Sequence, residues 1–193
     1  IDRDNNFYMS HGVNHINSLL KIVDKFIKLI DISDKEINLL KISVVLHDIG
    51  RGIDNDNHSI ASRDYARNYL KDKLECEDID TICNIIERHS WKKEKENILE
   101  HILCFCDKVD FLCDRLEDNY SVKYGFKSVL EHIIDVNFKV VDNDFIFVIL
   151  SDGKITSKDL FNEKKNYDIG IRYNVSVMSS VMGLSYKVYF DNE

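Results

Sequence analysis

The doublet His47-Asp48, in the run Val44-Val45-Leu46-His47-Asp48-Ile49-Gly50-Arg51, constrains this chain more than any other feature. An apolar helix that ends on two metal-ligating side chains must finish where other ligands can reach it. Neighbouring residues on a helix point about 100° apart, so both side chains can serve one centre only where the helix stops, and Gly50 supplies that stop. Four further residues stand at compatible places in helical patterns: His15, His58, His89 and Asp107. Together they read as one cup of imidazole and carboxylate. Such donors suit a divalent ion of borderline hardness (Mn, Fe, Zn, Co or Ni) better than a thiolate-seeking one. A buried carboxylate at Asp107 is costly unless it is paired or bound to metal.

The apolar spacing predicts the frame around these residues. Ile16, Leu19, Leu20, Val23, Phe26, Ile27 and Ile30 repeat at helical intervals, with His15 on the edge of the apolar face. Ser33-Asp34-Lys35-Glu36 has the form of a capping box and opens the helix that ends in the doublet. After a polar loop from Gly50 to Asn57, helices are predicted through Ile60 to Tyr69, through Ile79 to His89, and over Ile98 to Leu116, the last carrying Asp107. The pattern changes after about Asp135. Val136–Val141 and Phe145–Leu150 are rich in β-branched and aromatic residues and flank Asp142-Asn143-Asp144, a hairpin signal. Ser157 to about Met182 reads as a helix with Gly170 as a weak point, and Leu184–Phe190 alternates as a strand. The expected fold is mainly α: a helical bundle over residues 1–134 with a small ββαβ appendage over 135–193.

Composition narrows the partners. With 193 residues, a net charge of -8 and a pI near 5.4, the chain lacks the basic footprint of nucleic-acid binding, so no nucleic acid is expected. A small phosphorylated substrate needs only local positive charge. No stretch approaches ~18 apolar residues, so no membrane helix is expected, and the polar start Ile1-Asp2-Arg3-Asp4-Asn5-Asn6 does not read as a signal peptide. Cysteines at 76, 83, 104, 106 and 113 are odd in number and form no CxxC, which reads as reduced thiols in a cytoplasmic protein. Cys104 and Cys106, beside Asp107, lack the usual zinc spacing and read as small apolar fillers. His101 and His132 read as surface or satisfied core histidines, and Glu87, Arg88, Lys92 and Lys93 as solvated charge.

The order His15, His47-Asp48, Asp107 resembles the HD superfamily of metal-dependent phosphohydrolases over roughly residues 8–115. The local contexts are similar too: a His followed by an apolar helix, an apolar run before His-Asp-x-Gly-Lys/Arg, and Asp107-Lys108-Val109-Asp110. His11-Gly12-Val13-Asn14-His15 resembles a bacterial subgroup in which the second His is the ligand, with His11 as the alternative. His58-Ser59-Ile60-Ala61-Ser62 and Ile85-Ile86-Glu87-Arg88-His89 are similar to segments that hold a second metal in some members. Here Ser62 or Ala61 replaces the usual glycine and Ser90 replaces a second His.

The resemblance implies an HD-domain bundle holding one or two divalent ions. The ligands would be His15, His47, Asp48, His58, His89 and Asp107, with Asp48 bridging two ions ~3.5–4 Å apart. In the one-ion alternative His58 and His89 bind substrate or water. The implied reaction is phosphoester hydrolysis by water whose pKa the metal lowers from ~15.7 toward ~7. Asp48 would orient that water, and Arg51 and Lys108 would assist at the phosphoryl oxygens. The expected substrate is a nucleotide or another small phosphoester, since members act on nucleoside mono- and triphosphates, cyclic dinucleotides and guanosine alarmones. The chain lacks the acidic residue that some nucleotidases carry near Arg51, and the longer motif that follows the doublet in cyclic-dinucleotide enzymes. Two other functions fit the residues: a di-iron oxygenase using the same six ligands, and a non-catalytic metal- or ligand-binding module. The appendage can cover the pocket, set specificity or mediate a homodimer.

Overall fold

The computed structural model describes residues 11–90, 93–116, 127–161 and 167–191. In chain order the helices are α1 (Val13–Phe26), α2 (Asp34–Leu46), α3 (His58–Leu70), α4 (Cys76–Arg88), α5 (Ile98–Val109), α6 (Lys127–Leu130), α7 (Ser157–Leu160) and α8 (Tyr167–Val181). The strands are β1 (Ile133–Val141), β2 (Asp144–Ser151) and β3 (Ser185–Phe190), and short 3-10 turns lie at Ile27–Leu29, Ile49–Gly52 and Cys113–Arg115. The fold is mainly α with a small sheet towards the C-terminus, as the periodicity predicts. No helix among the described residues is long and apolar enough to cross a membrane.

Two predicted helices are shorter than their patterns. The helix expected over Ile98–Leu116 ends at Val109. Beyond it the Asp110 carbonyl accepts a hydrogen bond from Arg115 Nη1 at 2.6 Å, a side-chain donor where a continuing helix would offer an amide. The helix expected over Ser157–Met182 is divided. Thr156 and Asp159 form a capping box that starts the single turn of α7, and α8 begins at Tyr167; residues 162–166, within the predicted span, lie outside the described residues.

By compactness the chain divides into two units. Among the described residues, one is Ile30–Asp107 and the other joins the segment up to Leu29 with the chain from Lys108 onward. This boundary differs from the division at residues 134 and 135 drawn from the change of pattern. In the first unit, the capping box predicted at Ser33 is present. The Ser33 hydroxyl accepts from the Glu36 amide at 3.3 Å, and the Glu36 carboxylate accepts from the Ser33 amide at 2.8 Å. Leu39, Leu46, Ala66, Leu70, Ile79, Ile82, Cys83 and Ile86 then pack as one apolar cluster of α2, α3 and α4. Ion pairs ornament this core: Lys35 with Asp78, Arg63 with Glu87 and Arg67 with Asp80. Exposed pairs of this kind add ~0–1 kcal/mol each, so the apolar cluster sets the stability.

The second unit explains why α1 belongs with the strands. Buried Phe26 at the end of α1 meets Phe138 of β1 and Phe145 of β2 edge-on, with ring centroids 5.4 and 5.9 Å apart. That is a favoured aromatic geometry. Lys25 pairs with Asp135 and donates to the Val136 carbonyl at 2.9 Å. β1 and β2 run antiparallel around a two-residue turn, with Asp142 at φ 54° and Val141 opposite Asp144. Asp tolerates that left-handed conformation better than most residues. Asp144, expected in the turn, instead opens β2, and its carboxylate accepts from Ser185 Oγ of β3 at 2.6 Å. β3 pairs parallel to β2. A parallel neighbour needs a long crossover, and α7 and α8 lie within it.

Candidate metal centre

The first unit brings together five of the six residues the sequence singles out as ligands. α2 ends at His47, so Asp48 leaves the helical path and both side chains of the doublet turn inward. α3 begins at His58, α4 is capped by His89, and Asp107 sits near the end of α5. His47, Asp48, His89 and Asp107 are buried, and His58 is partly so.

Each imidazole is held by its Nδ1. The His47 ring lies 2.8 Å from the Val44 carbonyl, that of His58 3.1 Å from the Asn55 carbonyl, and that of His89 2.6 Å from the Ile86 carbonyl. A carbonyl can only accept, so Nδ1 carries a proton in all three rings, and in the neutral form of each ring Nε2 carries the lone pair. Those three Nε2 atoms converge on carboxylate. His47 Nε2 is 3.5 Å from Asp48 Oδ2 and 3.9 Å from Asp107 Oδ1. His58 Nε2 and His89 Nε2 are each 3.6 Å from Asp48 Oδ1. These gaps are long for hydrogen bonds, which close at ~2.7–3.2 Å. They match two donors sharing an ion, which at ~2.0–2.2 Å from the metal stand about 3–4 Å apart. His47, His89 and Asp107 offer ligand atoms all within 4.8 Å of one another, and so do Asp48, His58 and His89. The donor set therefore fits a divalent ion, with two overlapping triads that share His89.

Burial alone would push the Asp48 carboxyl up, but the imidazoles of His47 and His89 hold it well below the usual carboxylate range. Burial and the neighbouring Arg51 push His58 down, which favours the neutral, ligating form. Arg51 Nε lies 2.8 Å from Asp48 Oδ2, and its Nη2 lies 3.3 Å from His58 Nε2. The guanidinium thus spans the triad that contains His58.

Gly50 sets the approach of α3. A Cβ there would lie 2.3 Å from the Ser62 nitrogen, 2.6 Å from the His58 carbonyl oxygen and 2.7 Å from the Ala61 carbonyl carbon. The Gly50 amide donates to Ser62 Oγ at 2.8 Å. The buried Ser62 hydroxyl satisfies the turn after the doublet. Ser62→Ala should strand that buried amide and lower the unfolding free energy by about 1–3 kcal/mol. Urea denaturation checks this, and an unchanged midpoint would remove the hydroxyl from the account.

The other predicted residues fall as follows. His15 is buried in the first turn of α1, in the second unit, with Nδ1 2.6 Å from Asp110 Oδ2. The His11 ring lies edge-on to that of His15, centroids 5.8 Å apart, and joins none of the metal-capable groups among the described residues. Lys108 is exposed at the end of α5. Lys93 pairs with Glu87 at 3.2 Å and Arg88 with Glu96 at 2.7 Å; Lys92 lies outside the described residues. His132 Nδ1 is 3.0 Å from Asp152, and burial pushes half-buried His101 down. The five cysteines form no disulfide, and none joins a metal-capable group among the described residues. Sequence reasoning gave Asp110 no role beyond closing the motif Asp107-Lys108-Val109-Asp110. Its signal was present, as an acid one residue past the apolar helix that carries Asp107.

A search of curated proteins finds no match to this chain. The family model of the HD domain matches residues 13–112, from the start of α1 to just past α5. That span covers more than half of the sequence and contains the doublet, His58, His89 and Asp107, so the chain belongs to the HD domain family.

Proposed function

We propose that this protein is a metal-dependent phosphohydrolase that cleaves a nucleotide or another small phosphoester. One observation carries the reading: three imidazoles, each with Nδ1 tied to a main-chain carbonyl, turn their Nε2 lone pairs towards two buried carboxylates. His47, Asp48, His58, His89 and Asp107 would hold the ion or ions. His15 joins this proposed set through the family match alone. When bound, such an ion supplies Lewis acidity that polarises a phosphoryl oxygen and acidifies water. The chain supplies the rest. Asp48 stays ionised through neutral pH and can accept a proton or orient a donor beside the ligands. Arg51 offers a planar fork of donors that matches a phosphate, and Lys108 adds an exposed positive charge.

A feature of α3 favours a nucleotide over a simple phosphoester. His58, Tyr65 and Tyr69 are seven and four residues apart and so fall on one side of the helix. The two tyrosines are 39% and 49% exposed, and their rings stack 6.1 Å apart at 12°. Seven residues advance a helix about 10 Å, comparable to the reach from a phosphate to the base of a nucleotide. Tyr65→Ala is expected to raise KM for a nucleotide substrate about tenfold, the equivalent of one stacking contact of ~1–3 kcal/mol. KM for p-nitrophenyl phosphate should be unchanged. An equal effect on both substrates would remove the stacking role.

The reading is tested by elemental analysis of protein purified without chelator. A panel of nucleotides and other phosphoesters, with Mn, Co, Ni or Mg added, then measures turnover. Bound transition metal and metal-dependent phosphate release support it. Bound iron with an oxygen-dependent absorbance change and no phosphate release would replace it with the oxygenase. Absence of any metal binding would replace it with a binding module.

A further inference from the structure

Asp110 has no place in the proposed ligand set, yet its carboxylate is fully enclosed. Three described residues of its own unit meet it. His15 Nδ1 lies 2.6 Å from Oδ2, and Ser18 donates to Oδ1 at 2.6 Å. Arg115, itself buried, sets Nε 3.8 Å from Oδ2 and donates from Nη1 to the Asp110 carbonyl at 2.6 Å. A buried carboxylate needs such partners to offset its lost hydration. With Arg115 beside it, the carboxylate is the acceptor in its bond to the imidazole. The shared proton then sits on His15 Nδ1, and the lone pair is on Nε2.

His15 uses a side chain where the other three rings use the main chain. His47 and His89 stand at the C-terminal ends of α2 and α4 and reach the carbonyls of Val44 and Ile86 three residues back, the Ile86 carbonyl also accepting the His89 amide at 3.4 Å. The Asn55 carbonyl that holds His58 lies in the turn before α3. His15 is in the first turn of α1, and the carbonyl three residues back, Gly12, already accepts the Ile16 amide at 3.2 Å. The acceptor comes instead from a residue 95 positions later in the chain.

We propose that Asp110 is the positioning residue for His15. It fixes the ring as the Nδ1–H tautomer and leaves Nε2 able to ligate, while Ser18 and Arg115 hold the carboxylate in turn. The tautomer follows from this geometry alone; its consequence for metal binding rests on the proposed role of His15. A carboxylate behind a ligating imidazole raises its basicity, and loss of such a partner costs 10- to 100-fold in metal affinity in known sites.

Two measurements on the full chain test this separately. The first is the imidazole 15N spectrum of metal-free protein at a pH where His15 is neutral. Wild type should show Nδ1 protonated and Nε2 bare, and Asp110→Ala should shift His15 towards the Nε2–H form that free imidazole prefers. A wild-type ring already in the Nε2–H form overturns the proposal with no variant needed, as does an unchanged tautomer in a folded Asp110→Ala. The second is Co2+ titration followed by its visible absorption. Asp110→Asn, which retains volume and an acceptor, should bind about 10- to 100-fold more weakly, against His15→Ala as reference. Wild-type affinity in Asp110→Asn, with affinity lost in His15→Ala, overturns the positioning role and leaves the metal reading standing. Unchanged Co2+ affinity in His15→Ala removes His15 from the ligand set and overturns the metal consequence, while the spectrum still decides the tautomer.

Discussion

Asp48→Asn should abolish phosphoester turnover, by at least about 10³-fold, and leave the protein folded. The amide has nearly the volume of the carboxylate, so the packing where α2 ends is kept. What changes is charge and direction. Asp48 Oδ1 stands 3.6 Å from both His58 Nε2 and His89 Nε2, and Oδ2 stands 3.5 Å from His47 Nε2. An amide presents one neutral acceptor and one NH2 donor to that space. The NH2 can hydrogen-bond to an imidazole lone pair and so remove a ligand as well as a charge. The wild-type carboxyl is held well below the ordinary range by its imidazole neighbours, so near neutral pH the native protein does not visit the uncharged state that the variant imposes. Elemental analysis should show bound metal falling, and thermal melting should show a native-like transition. Full activity of the variant with every metal tested would end the hydrolytic mechanism.

Gly50→Ala should cost about 3 kcal/mol or more of stability and empty the site with it. The three atoms nearest the added methyl are all main chain: the Ser62 nitrogen at 2.3 Å, the His58 carbonyl oxygen at 2.6 Å and the Ala61 carbonyl carbon at 2.7 Å. No side-chain rotation relieves such a clash, so the first turn of α3 must move away. Overpacking of this kind falls at or above the upper end of the usual ~1–3 kcal/mol. The cost is spatial, since Gly50 is not among the residues with positive φ. Because α3 begins at His58, the movement that relieves the methyl also displaces a proposed ligand. Urea denaturation and metal content should therefore fall together, whereas Ser62→Ala should lower stability with the metal retained. An alanine variant of native stability and native metal content would show that α3 is not seated on Gly50.

Much of the architecture was legible because it is local. Helical periodicity located the first five helices, and the box at Ser33 and Glu36 marked a true start. The doublet preceding Gly50 marked a true stop, and the β-branched runs after Asp135 marked the hairpin. Where the reading overshot, at Ile98–Leu116 and Ser157–Met182, the amino acids could have continued a helix. At the first of these a side chain takes a group that continuation needed, as Arg115 takes the Asp110 carbonyl. The grouping of the chain by compactness was not legible either. Phe26 looks like one more apolar position on a helix, and only its rings of contact, Phe138 and Phe145, place α1 with the sheet.

Residue types and their spacing were enough to propose the ligands, because coordination chemistry admits few side chains and helix ends are written in short motifs. They could not say which nitrogen of each imidazole keeps its lone pair. That depends on which carbonyl or carboxylate lies behind each ring: Val44, Asn55 and Ile86 close in sequence, but Asp110 far from His15. Nor could they say that Gly50 is required for the close seating of α3. Hydrogen-bond direction and steric contact are properties of atoms brought together from distant segments, and the tertiary structure decides them.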